Sequence, residues 1–82
     1  MTDHAPRDYI KRLGMVIVSS RKQKQISQEE LADMIGISRP TMRSIENGES
    51  KVAFGSYVAA LSWLGRLDVL NGVFGDLDNG ER

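Results

Sequence analysis

The same punctuation occurs twice in the middle of this chain, and it confines that region to two short helices set at a sharp angle. The first occurrence is Ile26-Ser27-Gln28-Glu29-Glu30-Leu31. Ser27 can cap the first free backbone N–H groups of a helix, and Glu30 can reach back to the Ser27 N–H, which makes a capping box. Ile26 and Leu31 flank it at the spacing of a hydrophobic staple. Leu31, Ala32 and Ile35 then share one apolar face, and Gly36 supplies a left-handed residue to end the helix. The second occurrence is Ile37-Ser38-Arg39-Pro40-Thr41-Met42. Ser38 is again the cap, and Pro40 falls in the first turn, where a missing N–H breaks no intrahelical bond. Met42 and Ile45 point inward, and Asn47-Gly48 stops the helix near Glu46. Only Gly36, Ile37 and Ser38 separate the two helices, so they must cross rather than lie alongside each other. The spacing predicts a helix-turn-helix over about 27–47.

The flanks extend this to a bundle. Ile10, Leu13 and Ile17 are spaced by three and four, which predicts a first helix over 8–24. Val16-Ile17-Val18 argues weakly against it, since β-branched residues lose rotamer freedom in a helix, but a four-residue strand would have no partner. Phe54, Tyr57, Val58, Leu61 and Leu64 predict a fourth helix with a wide apolar stripe, ended by Gly65. Leu67, Leu70, Val73 and Phe74 suggest a short fifth helix, and 76–82 reads as a polar tail. The expected fold is all-α: a compact bundle of four or five short helices. It forms one domain over 1–75, with an association segment at about 54–75.

Composition narrows the functions open to such a bundle. A chain of 82 residues buries only roughly 60% of its unfolded surface, so each apolar stripe is needed for folding. There is no cysteine, hence no disulfide framework and no thiolate metal site, which suits a reducing cytoplasm. No apolar run approaches the ~18 residues of a membrane span, and the start lacks a signal-like pattern. Overall charge is balanced, but unevenly along the chain. Residues 1–52 carry nine bases against seven acids, +2, while 53–82 carry Arg66 and Arg82 against Asp68, Asp76, Asp78 and Glu81, −2. That permits a polyanion partner for the first two-thirds of the chain.

Sharper chemistries fail. His4 is the sole histidine and falls in a terminal stretch, so no metal site is expected. Asp76 to Gly80 glances at a calcium loop, but the glycine comes one residue early and the chain ends before the bidentate Glu. Glu30 is explained by capping and Glu29 by exposure, and Gly72 and Gly75 have neither the strand nor the Lys of a phosphate loop. No catalytic residue and no cofactor are expected.

What remains is the outer face of the third helix. With Ile37, Met42 and Ile45 inward, it presents Arg39, Thr41, Arg43 and Ser44. Arginine forks the two acceptors of a guanine, and small hydroxyls reach groove atoms or phosphate. Gln28 and Ser38 open their helices, where free N–H groups favour a phosphate oxygen. Arg21, four residues after Ile17, falls on the inward stripe of the first helix, where an acidic partner is expected.

The register from Leu13-Gly14 to Gly48 resembles the lambda-repressor-like helix-turn-helix of the XRE family over roughly half the chain. The matching positions are Leu13, Ile17, Arg21, Ser27-Gln28-Glu29-Glu30-Leu31-Ala32, Gly36, Ser38, Thr41, Ile45 and Glu46-Asn47-Gly48. The resemblance implies a DNA-binding repressor. Arg39, Thr41, Arg43 and Ser44 would then face bases, with Gln28, Ser38, Asn47 and Lys51 on phosphates and Arg21 and Glu46 as a structural ion pair. Two departures stand out. Gln25 stands where the family often has Gly, which implies a strained or longer first turn. Pro40 stands where a base-reading polar side chain is common, which shifts reading onto Arg39 and Arg43.

Val52 to Leu61 followed by Leu64-Gly65 is similar to HipB-like antitoxins, which dimerise and pair with a HipA-like serine/threonine kinase toxin. That likeness implies a homodimer on a near-palindromic double-stranded operator and a possible kinase partner. Trp63, with Leu67, Leu70 and Phe74, either builds the dimer or partner surface or completes the domain's own core. A phage-type or housekeeping repressor without a toxin, and a protein-interaction module of the same fold, remain the alternatives.

Overall fold

The computed structural model describes residues 6–71. Four α-helices follow in order: α1 Pro6–Gln23, α2 Gln28–Ile35, α3 Arg39–Glu46 and α4 Phe54–Trp63. A 3₁₀ turn, Leu67–Leu70, comes after α4. There is no strand among the described residues, and the fold is all-α. Leu13 and Ile17 of α1 meet Leu31 and Ala32 of α2, Met42 and Ile45 of α3, and Tyr57, Ala60 and Leu61 of α4 in one core, which Leu64 closes. Ile17 is fully buried at its centre. Burial there outweighs the weak strand preference of the Val16-Ile17-Val18 run.

The local grammar of the central pair is realised bond for bond. Ser27 Oγ accepts the Glu30 N–H at 2.9 Å, and Glu30 Oε1 accepts the Ser27 N–H at 2.8 Å. Gly36 is left-handed, and the Ile37 amide returns to the Ala32 carbonyl at 3.0 Å. In α3, Ser38 Oγ accepts the Thr41 N–H at 3.2 Å, and Pro40 sits in the first turn. The first turn is strained where the missing Gly implies it. Gln25 has φ 59, a left-handed conformation that costs a side-chain-bearing residue roughly 1–2 kcal/mol. Its amide still bonds the Lys22 carbonyl at 3.0 Å.

One sequence expectation is corrected and another is met only in part. Phe54 does not join the α4 stripe: it is the first residue of the helix and is 39% exposed, whereas Ala60 is buried and completes the stripe with Tyr57, Leu61 and Leu64. The expected fifth helix begins as a single 3₁₀ turn, led in by a bidentate Arg66–Asp68 pair at 2.9 and 3.2 Å. Its Val69 and Leu70 pack against the core. Val73, Phe74, the polar tail and His4 lie outside the described residues.

α3 is seated by a backbone contact that hydrophobic patterning does not reveal. A Cβ on Gly14 would stand 2.7 Å from the Ile45 carbonyl oxygen and 2.9 Å from that of Glu46. A Cβ on Gly48 would stand 2.5 Å from Lys11 Cα. The end of α3 therefore rests directly on the backbone of α1, with no side chain between them.

The loop after α3 is tied down by Tyr57, fully buried, whose hydroxyl donates to the Glu49 carbonyl at 2.7 Å. Burial first, and the Glu49 charge second, push the phenol pKa above its ordinary value. The neutral phenol therefore contributes its full stability below the ordinary phenol pKa, and that contribution is lost as pH rises toward the raised value. Tyr57→Phe should cost about 1 kcal/mol at neutral pH through the lost hydrogen bond. It should also remove this residue's share of the alkaline destabilisation expected in urea unfolding as pH rises above the ordinary phenol pKa of about 10. An unchanged alkaline limb in the variant would assign that titration elsewhere.

Candidate nucleic-acid interface

With Met42 and Ile45 fully buried, the remaining positions of α3 form its outer face. Arg39, Pro40 and Arg43 are exposed, and Thr41 and Ser44 are half-buried beside them. Arg39 Nη1 lies 3.9 Å from Glu29 Oε1 of α2, both largely in solvent. Such a pair contributes little, and Arg39 is free to leave it. Arg43 has no partner among the described residues, so its whole guanidinium fork is open to a ligand.

Ser38 has a double role. Besides accepting the Thr41 N–H, its hydroxyl donates to Thr41 Oγ1 at 2.9 Å. That leaves the Thr41 hydroxyl proton free to point outward as a donor.

The other expected contacts spread to either side of α3. Asn47 caps its C-terminal end and is exposed. Lys51 is exposed and pairs with Glu49 at 3.2 Å. An open concavity of about 480 Å³ joins Thr41, Ser44 and Lys51, with Pro40, Val52, Ala53 and Ser56 completing its lining. Ala53 offers no side-chain cap to α4, and the Ser56 N–H turns back to the Ala53 carbonyl at 3.0 Å. Ser56 was not among the expected contacts. The signal for it was available, as a hydroxyl in the first turn of a helix that lacks a capping side chain.

At the start of α2, Gln28 is half-buried, and its side-chain Nε2 donates to Glu46 Oε1 at 3.0 Å. Glu46 in turn takes Arg21 Nε on Oε2 at 2.6 Å and Arg21 Nη2 on Oε1 at 3.2 Å. Arg21 Nη1 reaches the Ile26 carbonyl at 2.9 Å. The two charged side chains are only 12% and 8% exposed. The Gln28 link was not foreseen from the sequence, because three residues from three elements meet there.

The expected association residues do not form one exposed set. Trp63 is 58% exposed and Leu67 is 45% exposed. Leu70 is half-buried against the core, held there by the 3₁₀ turn, and Phe74 lies outside the described residues.

This geometry has a counterpart among known proteins. Residues 18–56, from the last turns of α1 to the first turn of α4, match the family described as Helix-turn-helix. The fold of this segment is a helix-turn-helix. Over 60 residues the chain is 35% identical to the ImmF control region 10 kDa protein of Bacillus phage phi105. That match takes in 73% of this chain and 59% of the phage protein, so the chain spans less than two thirds of its relative's length. No solved structure matches it. Among the described residues no helix is long and apolar enough to cross a membrane.

Proposed function

We propose that this protein is a sequence-specific DNA-binding transcriptional repressor of phage type, acting in the cytoplasm as a homodimer on a near-palindromic operator. The observation that carries the reading is the outer face of α3, with two exposed arginines, Arg39 and Arg43, flanking Thr41 and Ser44 above a buried Met42 and Ile45. Such a helix fits the major groove, with Arg39 and Arg43 toward base edges. Gln28, Ser38, Asn47 and Lys51 would lie along the phosphates and fix the register.

The charge division supports the same orientation, since the +2 segment holds the helix-turn-helix and the −2 segment follows it. The relative from a phage control region favours the phage-type regulator over an antitoxin paired with a HipA-like kinase. The reading frame beside the gene separates those two. One recognition helix reads too few base pairs to find a site in a genome, hence the dimer. Its half-sites would be spaced by one helical turn, about 34–36 Å.

Electrophoretic shift on the DNA upstream of its own gene tests the reading. Absence of any shift at low salt would leave a protein-interaction module as the better account. Within a positive result, Arg39→Ala should cost about 1–3 kcal/mol of specific binding and relax one base position. Gln28→Ala should weaken cognate and scrambled duplexes alike, because a phosphate carries no sequence. If both variants weaken the two duplexes by one common factor, Arg39 does not read bases.

A further inference from the structure

The side-chain amide of Gln28 offers two protons, and Glu46 holds one of them at 3.0 Å. A carboxylate can only accept, so the nitrogen of that amide, never its oxygen, must face Glu46. The second amide proton then points away from Glu46. Glu46 cannot turn aside to release it, because Arg21 grips both of its oxygens and is itself anchored on the Ile26 carbonyl at 2.9 Å. The cluster joins α1, the turn before α2, the first residue of α2 and the last residue of α3.

We propose that Glu46 is a positioning residue for DNA contact: by capturing one amide proton of Gln28 it aims the other at a backbone phosphate, and so couples the phosphate clamp on α2 to the placement of α3. The proposal rests on the DNA-binding reading above. A free glutamine at a helix start samples several rotamers and both amide orientations, and would order only on binding. Held by Glu46, it meets the phosphate already ordered, and the ordering cost is met in folding. The near-complete burial of the Arg21–Glu46 pair fits this role better than a stability role, since a buried pair adds little net stability but holds its geometry closely.

The test is a double-mutant cycle between Glu46→Asp and Gln28→Ala. It is read by binding to a labelled duplex of the upstream DNA and to a scrambled duplex. Aspartate keeps the charge facing Arg21 but is one methylene too short to hold both partners. Alone, Glu46→Asp should weaken both duplexes by about tenfold, the scale of one hydrogen bond to a charged group. In the Gln28→Ala background the same substitution should change affinity by less than about twofold. An equal loss in both backgrounds, or no loss in the wild-type background, overturns the proposal, since Glu46 would then act only on the seat of α3 or not at all.

Side-chain amide spectra of the free protein give a second readout that a structural role would not move. The two Gln28 protons should be split more widely than those of the exposed Gln23 and Gln25 in the wild type and should fall back to that ordinary splitting in Glu46→Asp. An ordinary splitting in the wild type overturns the proposal. If Glu46→Asp does not fold, Arg21→Lys serves in the same cycle, because lysine keeps the charge but lacks the fork that spans Glu46 and Ile26. A wild type that binds neither duplex overturns the DNA-binding reading and this proposal with it. A wild type that binds while the cycle is additive overturns the proposal alone.

Discussion

Gly14→Ala should destabilise the protein by about 1–3 kcal/mol, the usual cost of overpacking a filled contact. The sign is opposite to the one helix propensity gives, since alanine in a helix interior gains about 1 kcal/mol over glycine. Packing wins here because the new methyl would meet the carbonyl oxygens of Ile45 and Glu46 at 2.7 and 2.9 Å and the Gly48 nitrogen at 3.1 Å. All three are backbone atoms, so no rotamer change relieves the clash, and α3 must move off α1. For a domain of this size each kcal/mol shifts Tm by roughly 4–8 °C, so a Tm loss on the order of 10 °C is expected. Gly55→Ala is the internal control. Its Cβ would meet nothing within 4 Å, and the variant should be neutral or more stable by up to about 1 kcal/mol. Urea unfolding of the two variants measures both. A Gly14→Ala protein as stable as the wild type would show that α1 and α3 slide apart without penalty.

That contact also marks where the sequence stops being legible. Short-range signals are readable because they are written in neighbouring residues: Ser27 with Glu30, Ser38 with Thr41, Gly36 closing α2. Each fixes a helix end by a bond spanning three or four residues, and each appears in the structure as the spacing implies. The strain at Gln25 is legible for a related reason, because the departure from glycine names the position. Contacts between elements are another matter. Gly14 looks like an ordinary weak spot in a helix until α3 is placed against it. Gln28 looks like a free helix-start residue until Glu46, eighteen positions away, takes its amide. Phe54 continues the apolar spacing of α4 and is still partly in solvent, since periodicity states which side a residue faces and not how far the neighbouring helices extend. The outer face of α3 lies between these cases. Its residues follow from knowing which side is buried, whereas the concavity that brings Lys51 and Ser56 beside Thr41 and Ser44 depends on the path of the loop that Tyr57 holds.

For the dimeric repressor proposed above, Trp63→Glu combined with Leu67→Glu should yield a folded monomer that has lost most of its operator affinity. Both side chains are large, apolar and about half in solvent, on either side of the turn at Gly65. Neither contributes to the core, so their replacement should leave the circular dichroism spectrum unchanged. Leu70 is the wrong residue to alter for this purpose, because it packs against the core and its replacement would confound association with folding. A stable interface needs roughly 800 Å² per partner, and an exposed tryptophan beside a leucine is the kind of centre around which that area is assembled. The segment from 53 onward is −2 and would repel phosphate, which suits association better than DNA contact. Two added glutamates would place four like charges across a two-fold axis, in addition to removing the apolar surface. Light scattering should then report the mass of one chain. Loss of the second half-site, no longer held at high effective concentration, should weaken operator binding by roughly 10²- to 10⁴-fold while each residue proposed to contact bases stays in place. Affinity for a single half-site should be unchanged, and this separates lost association from a damaged reading surface. A double variant that remains dimeric and binds the operator normally would move the interface to another exposed apolar site, of which Met15 on α1, 68% exposed, is the most open among the described residues.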